Sequence, residues 1–196
     1  MERIKTDIIL AGVGGQGILS IASVLGDAAL NDNLYLKQAE THGMSQRGGA
    51  VVSHFRISTQ PINSDLIPKG SAELILSVEP MEALRYLPFL APNGYVVTNT
   101  TPFENIVNYP DIDKVLDEIK KQPRFVAIDA DKIALELGNR RVSNVVMLGA
   151  STPFIQITPE KIETGIERIF GRKGAEIVEL NIKAFRAGRK FALENS

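Results

Sequence analysis

The sequence predicts an α/β fold: a three-layer α/β/α sandwich around a mostly parallel, mixed sheet. Short apolar runs rich in β-branched residues alternate with longer segments of helical period. A glycine-rich loop joins the first such run to the first helical segment. Alternating strands and helices need crossover connections, and these build parallel sheets covered on both faces. The 196 residues fit a single domain spanning 1–196, long enough to bury a core.

Residues 7–11 form a short apolar run ahead of glycines, which reads as a buried strand. Residues 18–30 hold no breaker but Gly26 and are apolar around most of the circumference, so this helix is expected to be buried on more than one side. A second strand is expected at 34–36, completing a βαβ unit with a right-handed crossover. Residues 50–58 are the most strand-like of the chain, and 73–78 give another strand. Pro80 opens a helix with Met81, Ala83, Leu84 and Leu87 as its apolar positions. Pro92-Asn93-Gly94 marks a turn before a strand at 95–98. A helix at 111–120 and a strand at 125–128 follow. Asp129 is placed to cap a helix running to Leu137, with Gly138 as its stop. Residues 143–148 read as helical, and Thr158-Pro159 as an N-cap and first-turn proline. The last helix is expected from about 174 to 193, with Glu176 and Glu179 near its start and Arg186, Arg189 and Lys190 near its end. That distribution matches the helix dipole, so the basic end reads as structural. The hairpin-prone middle of the chain adds antiparallel pairing.

Composition narrows the function classes. With 44% hydrophobic and 23% charged residues, the chain matches ordinary soluble domains. A net charge of −1 gives no field to attract nucleic acid. No cysteine is present, so the sequence offers neither disulfides nor thiolate ligands for a metal or an iron–sulfur cluster. No apolar run approaches the ~20 residues that span a bilayer, and the N-terminus lacks a signal-peptide layout. A cytoplasmic protein with no membrane or nucleic-acid partner is expected.

Two loops carry the functional signal. The first, Gly12-Val13-Gly14-Gly15-Gln16-Gly17, matches G-x-G-x-x-G between a strand and a helix, a Rossmann-like start. Its glycines allow close backbone approach, and the helix N-terminus offers free N–H groups to an anion. Gly12, Gly14, Gly15, Gln16 and Gly17 are therefore the candidate anion- or ligand-binding residues. Glu40, the nearest acid that could hold a ribose, lies slightly past the usual offset of about 20 residues. The plain alternative is a tight strand–helix turn.

The second loop, Glu40-Thr41-His42-Gly43-Met44-Ser45-Gln46-Arg47-Gly48-Gly49, is dense in glycine and polar side chains. Following the second strand, it is expected to lie beside the first loop at the strands' carboxyl ends. Arg47 suits a carboxylate or phosphate. Ser45 and Gln46 can donate hydrogen bonds, and Gly48-Gly49 allow close approach. His42 and His54 have no partner at metal-ligand spacing, so no metal is assigned, and His54 reads as a satisfied structural residue.

These two motifs resemble the gamma-type subunit of 2-oxoacid:ferredoxin oxidoreductases. The form Thr-His-Gly-Met-Ser-Gln-Arg-Gly-Gly at 41–49 looks most similar to the indolepyruvate branch of that family, in which the equivalent chain is the beta subunit. The resemblance extends through Val-Val-Ser-His-Phe-Arg-Ile at 51–57, Pro61-Ile62, the strand ending in Glu79-Pro80, and Pro92-Asn93-Gly94. It covers the first half of the chain well and the second half in general pattern. It implies a complex that oxidatively decarboxylates a 2-oxoacid with coenzyme A to acyl-CoA, CO2 and reduced ferredoxin. Thiamine diphosphate, Mg and iron–sulfur clusters are implied in a large alpha-type partner subunit, and no cofactor in this chain alone. From the second motif, His42, Gly43, Ser45, Gln46, Arg47, Gly48 and Gly49 are carried over as a loop contacting substrate, coenzyme A or the partner, with no residue assigned as acid, base or nucleophile. Two alternatives stand beside this: an independent Rossmann-type nucleotide-binding enzyme, and a purely structural subunit. Isolated from its partner, the chain is expected to self-associate through the vacant face. The broad apolar coverage of the first and last helices suits either subunit burial or a layered core.

Overall fold

The computed structural model describes residues 4–43, 48–104 and 108–196. Six strands form one mixed sheet: β1 (Lys5–Val13), β2 (Tyr35–His42), β3 (Ala50–Ser58), β4 (Ala72–Ser77), β5 (Leu90–Asn99) and β6 (Phe125–Ile128), in the order β2-β3-β1-β4-β5-β6. β3 is antiparallel to both β1 and β2, whereas β1, β4, β5 and β6 run parallel. β1 and β2 are thus the expected parallel pair of a βαβ unit, but β3 is inserted between them.

Alternation along the strands sorts the core into two faces. Ile8, Leu10, Phe55, Leu74 and Leu76 pack beneath α1 (Ile18–Asn31), α4 (Ala130–Glu136), α5 (Ser143–Ser151), α6 (Pro159–Phe170) and α7 (Ala175–Asn195). Ile9, Ala11, Val52 and Ile75 pack on the other face against Ile67 and Phe89. Val96 is covered there by α2 (Pro80–Arg85) and α3 (Ile112–Lys120). Central β1 is buried on both faces, as a strand in the middle of such a sandwich must be.

The heaviest helical layer is closed by two glycines. A Cβ on Gly149 of α5 would lie 1.9 Å from the Phe185 carbonyl oxygen, and one on Gly188 of α7 would lie 1.9 Å from that of Val146. The two helices therefore cross in backbone contact. Phe185 is fully buried, and Ile177, Val178, Leu180, Ile182 and Phe191 pack on the core, so the apolar coverage of α7 serves the layers of this chain.

Several boundaries differ from the sequence expectation. The second strand runs from 35 to 42, because β2 is an edge strand whose solvated positions carry no apolar signal. Glu40, Thr41 and His42 consequently belong to that strand, and Gly12 to β1. The Pro92-Asn93-Gly94 turn is an irregularity inside β5, where the register shifts between Ala72 and Leu74 of β4. Leu87 lies in a short 3-10 turn after α2. α7 continues to Asn195, so Arg186 is not in its last turn. Arg186 instead grips Glu163 of α6 with two hydrogen bonds of 2.7 Å. Asp129 caps α4 as expected, accepting from the Lys132 N–H. Thr158 is the N-cap of α6, with Pro159 at its first position. No helix among the described residues is long and apolar enough to cross a membrane.

Candidate functional site

The carboxyl ends of β1, β4, β5 and β6 open into one cleft of about 780 Å³. β1 leads left to α1 and β2, while β4, β5 and β6 build the sheet to the right. The cleft therefore lies at the switch point, where α/β sheets place ligands. Gly15, Gln16 and Gly17 form one side, the segment from Thr101 to Phe103 another, and Arg140, Arg141 and Asn144 a third.

The glycine loop is braced from within. The Val13 N–H donates to Gln16 Oε1 at 2.8 Å, and Gln16 Nε2 donates to the Val78 carbonyl at 3.3 Å, tying β1 to the end of β4. The Gly14 N–H donates to the Gly49 carbonyl at 2.9 Å. Gln16 is thus a brace, and the Gly14 amide is already occupied. Gly15 and Gly17 face the cleft at φ 100° and 81°, in the left-handed region that disfavours a side chain. A Cβ on Gly17 would also lie 2.5 Å from Asn144 Nδ2. That amide donates to the Gly17 carbonyl at 3.2 Å and so pins α5 to the start of α1.

The described end of the second motif lies beside the first, as expected, linked by the Gly14–Gly49 bond. Between β2 and β3, the Gly43 N–H donates to the Ala50 carbonyl at 2.7 Å. Gly48 has φ 87°. His42 Nε2 lies against Glu40 Oε1, and Glu40 also receives Gln38 Nε2 at 3.4 Å. With β3 between β1 and β2, Glu40 stands on the outer strand rather than beside the glycine loop, and its partners are in its own hairpin. Ser45, Gln46 and Arg47 lie outside the described residues. His54 is the satisfied residue it was read as: its Nδ1 accepts the Ile67 N–H at 3.0 Å, and its ring meets Phe89 edge-on.

Sequence reasoning missed much of the rest of the lining. Asn99, at the end of β5, accepts the Ala130 N–H at 3.1 Å and donates to Asp131 Oδ2 at 2.8 Å. Asp131 also accepts from Arg140 Nε at 2.9 Å. Arg140, Arg141 and Lys173 make this wall cationic. The adjacent pair Arg140-Arg141 after Gly138-Asn139 was the available signal, but nothing local placed it in one cleft with a glycine loop more than a hundred residues away. Also missed was Glu79, 1% exposed. Its Oε2 accepts the Glu82 N–H at 2.8 Å, and its Oε1 accepts from Tyr109 OH and, at 3.4 Å, from the Phe103 N–H. Burial raises the pKa of Glu82 against the pull of Arg85. Burial and the Glu79 hydrogen bond raise that of Tyr109.

The profile of a known family covers nearly the whole chain, residues 7–191: pyruvate ferredoxin/flavodoxin oxidoreductase. The chain belongs to this family. It is an oxidoreductase subunit, 37% identical to indolepyruvate oxidoreductase subunit IorB of Thermococcus kodakarensis over 96% of each chain. It is 31% identical to the pyruvate/ketoisovalerate oxidoreductases common subunit gamma of Pyrococcus furiosus, over 89% of this chain and 90% of that one. In fold it matches the 2-oxoglutarate:ferredoxin oxidoreductase from Magnetococcus marinus, solved with 2-oxoglutarate, coenzyme A and succinyl-CoA bound. There the TM-score is 0.79 at 22% identity, with all of this chain aligned to 32% of that longer polypeptide. Cysteine is absent from the sequence, and no group of three or more His, Asp or Glu side chains among the described residues could hold a metal ion.

Proposed function

We propose that this chain is the small subunit of a 2-oxoacid:ferredoxin oxidoreductase that acts on aryl pyruvates such as indolepyruvate, working with a large alpha-type subunit in the cytoplasm. The observation that carries the reading is the 37% identity to the indolepyruvate oxidoreductase subunit over 96% of both chains, against 31% to the pyruvate/ketoisovalerate subunit. The whole chain acts as one gamma-type domain. In the reaction the bond between the keto carbon and the carboxylate breaks, CO2 leaves, and the acyl carbon bonds to the sulfur of coenzyme A. An electron pair passes to ferredoxin and a proton is released. Thiamine diphosphate, held with Mg by the partner, supplies carbanion stabilisation, and the partner's iron–sulfur clusters carry the electrons.

This chain binds and encloses. The cleft takes an anionic end of coenzyme A: Arg140, Arg141 and Lys173 face its phosphates, with Gly15, Gly17 and the start of α1 opposite. His42, Gly43, Ser45, Gln46, Arg47, Gly48 and Gly49 form the edge that meets the partner or substrate. The internal bracing of Gly14 and Gln16 favours a second reading for the glycine loop alone, a structural support for that edge. Titrating the complex with coenzyme A separates the two, since a loop that only supports the edge leaves affinity unchanged in a folded Gly15→Ala variant, whereas an Arg140→Ala, Arg141→Ala double variant weakens it under either reading.

The deciding experiment is anaerobic co-purification of the tagged chain from its native cells. A stoichiometric, iron–sulfur-bearing, thiamine-dependent polypeptide that reduces ferredoxin with an aryl pyruvate and coenzyme A is expected. Recovery of the chain alone, carrying a bound nucleotide, would overturn the proposal in favour of an independent nucleotide-binding enzyme. Arg47→Ala in the reconstituted complex tests the motif loop, and normal turnover removes Arg47 from it.

A further inference from the structure

The wall of the cleft formed by Thr101, Pro102 and Phe103 has two features that packing does not account for. Phe103 is 40% exposed, a large apolar residue lining a cleft in which amide and cationic side chains alternate with apolar ones such as Met147 and the buried Phe170. The backbone that carries it is fastened to a carboxylate in the interior. Glu79 receives the Phe103 N–H and the Tyr109 hydroxyl on one oxygen and the Glu82 N–H on the other. Burying a carboxylate is unfavourable unless such donors compensate it. Holding a solvent-facing phenyl ring in place loses conformational freedom and gains little apolar burial. The arrangement becomes favourable when a ligand covers the ring, because aromatic rings stack well and a preorganised surface loses less freedom on binding.

We propose that Phe103 is the stacking platform of the cleft for a planar aromatic ring of the bound ligand, and that Glu79 is the positioning residue that holds it there through Tyr109 and the Phe103 amide. The inference rests on the proposed function, whose reaction offers two such rings: the adenine of coenzyme A and the aryl group of the 2-oxoacid. The cleft volume lies within the range of small-molecule and cofactor pockets. With the cationic residues on a neighbouring wall, a ligand that carries a flat ring and anionic groups meets complementary chemistry on both.

The test uses the assembled complex with Phe103→Ala, Phe103→Tyr, Tyr109→Phe and Glu79→Gln in this chain. Phe103→Ala is expected to raise the KM of one ring-bearing substrate about tenfold, the scale of a lost base–aromatic stack, with kcat nearly unchanged. Phe103→Tyr restores the wild-type value, since it keeps the ring. Tyr109→Phe, which removes one donor and no packing, raises the same KM by a smaller factor, as does Glu79→Gln. A rise in the KM of coenzyme A names adenine, and a rise confined to aryl 2-oxoacids and absent with pyruvate names the aryl group. A second arm needs no turnover: equilibrium binding of etheno-adenine coenzyme A and of indole-3-pyruvate, followed by their optical signals. The platform is overturned if Phe103→Ala leaves both KM values and both binding signals at wild-type levels, or if Phe103→Tyr fails to restore them. Failure of the proposed function is distinguishable, because the complex then shows no ferredoxin reduction while the binding arm still reads Phe103.

Discussion

The crossing of α5 and α7 gives the most quantitative prediction. In Gly188→Ala the new Cβ would lie 1.9 Å from the Val146 oxygen, 2.8 Å from its carbon and 3.0 Å from the Ala150 nitrogen. All three are backbone atoms, so no side chain can rotate away. Relief requires the helices to part by about 1 Å, and a gap of that size forfeits a quarter to a half of the dispersion attraction across it. Overpacking of a close-packed core costs about 1–3 kcal/mol, and a backbone clash belongs at the upper end. Alanine's helix propensity returns about 1 kcal/mol. The expected net loss is about 2 kcal/mol, which lowers Tm by roughly 4–8 °C in a domain of this size. Chemical denaturation of the purified chain measures it. Gly171→Ala is the control, since a Cβ there meets nothing within 4 Å, and it should leave stability unchanged. A Gly188→Ala chain as stable as wild type would refute the backbone contact. Because α5 also carries Asn144 into the cleft, the same variant should weaken ligand binding there.

Further outcomes follow from the site. Gln16→Ala leaves the Val13 N–H and the Val78 carbonyl without their partner and should cost about 1–3 kcal/mol in denaturant titrations. Gly17→Ala meets both a left-handed backbone and the Asn144 amide, so it should destabilise by at least ~1–2 kcal/mol and detach Asn144, visible as a changed amide resonance. In His54 the pKa is lowered, first by burial and then by Arg56, so between its folded value and 6.5 the unfolded chain binds more protons. The stability it contributes is therefore present above pH 6.5 and is lost as pH falls through the folded value. Hydrogen exchange at Ile67 should accelerate across that window, and His54→Phe should abolish the pH dependence.

How much of this was legible in the sequence depends on where each signal resides. The sequence-expected bounds of β3 and β6 match the observed ones because β-branched, mostly buried runs such as Ala50–Ser58 leave no competing period. β2 was truncated because only its start is apolar. Lys37, Gln38 and Thr41 are an edge strand's solvated positions, and pairing with β3 alone makes them extended. The insertion of β3 between β1 and β2 is equally invisible to local pattern, yet it brings the Gly49 carbonyl to the Gly14 amide. The glycine loop was legible because its φ > 0 positions demand glycine. The arginine wall was not, since Arg140 is polar and exposed and has no local period to betray it.

The bracing of the glycine loop changes what the two motifs mean together. In a dinucleotide-binding loop the amides around the second glycine approach the phosphates. Here the Gly14 amide holds Gly49, and the Gln16 side chain holds Val13 and Val78. The loop therefore fixes the hairpin that bears the second motif against the carboxyl end of the sheet, and lines the cleft with Gly15, Gln16 and Gly17. The positive charge that an anion needs then has to come from Arg141, Lys173 and the Asp131-paired Arg140, which line the cleft from the other half of the chain. A ligand held this way bridges both halves. Removing the arginine pair should accordingly weaken anion binding more than Gly15→Ala, whose added Cβ strains a left-handed backbone but meets nothing within 4 Å. If Gly15→Ala proved the more damaging to coenzyme A affinity while the chain stayed folded, the loop would be the principal anion site and the bracing incidental.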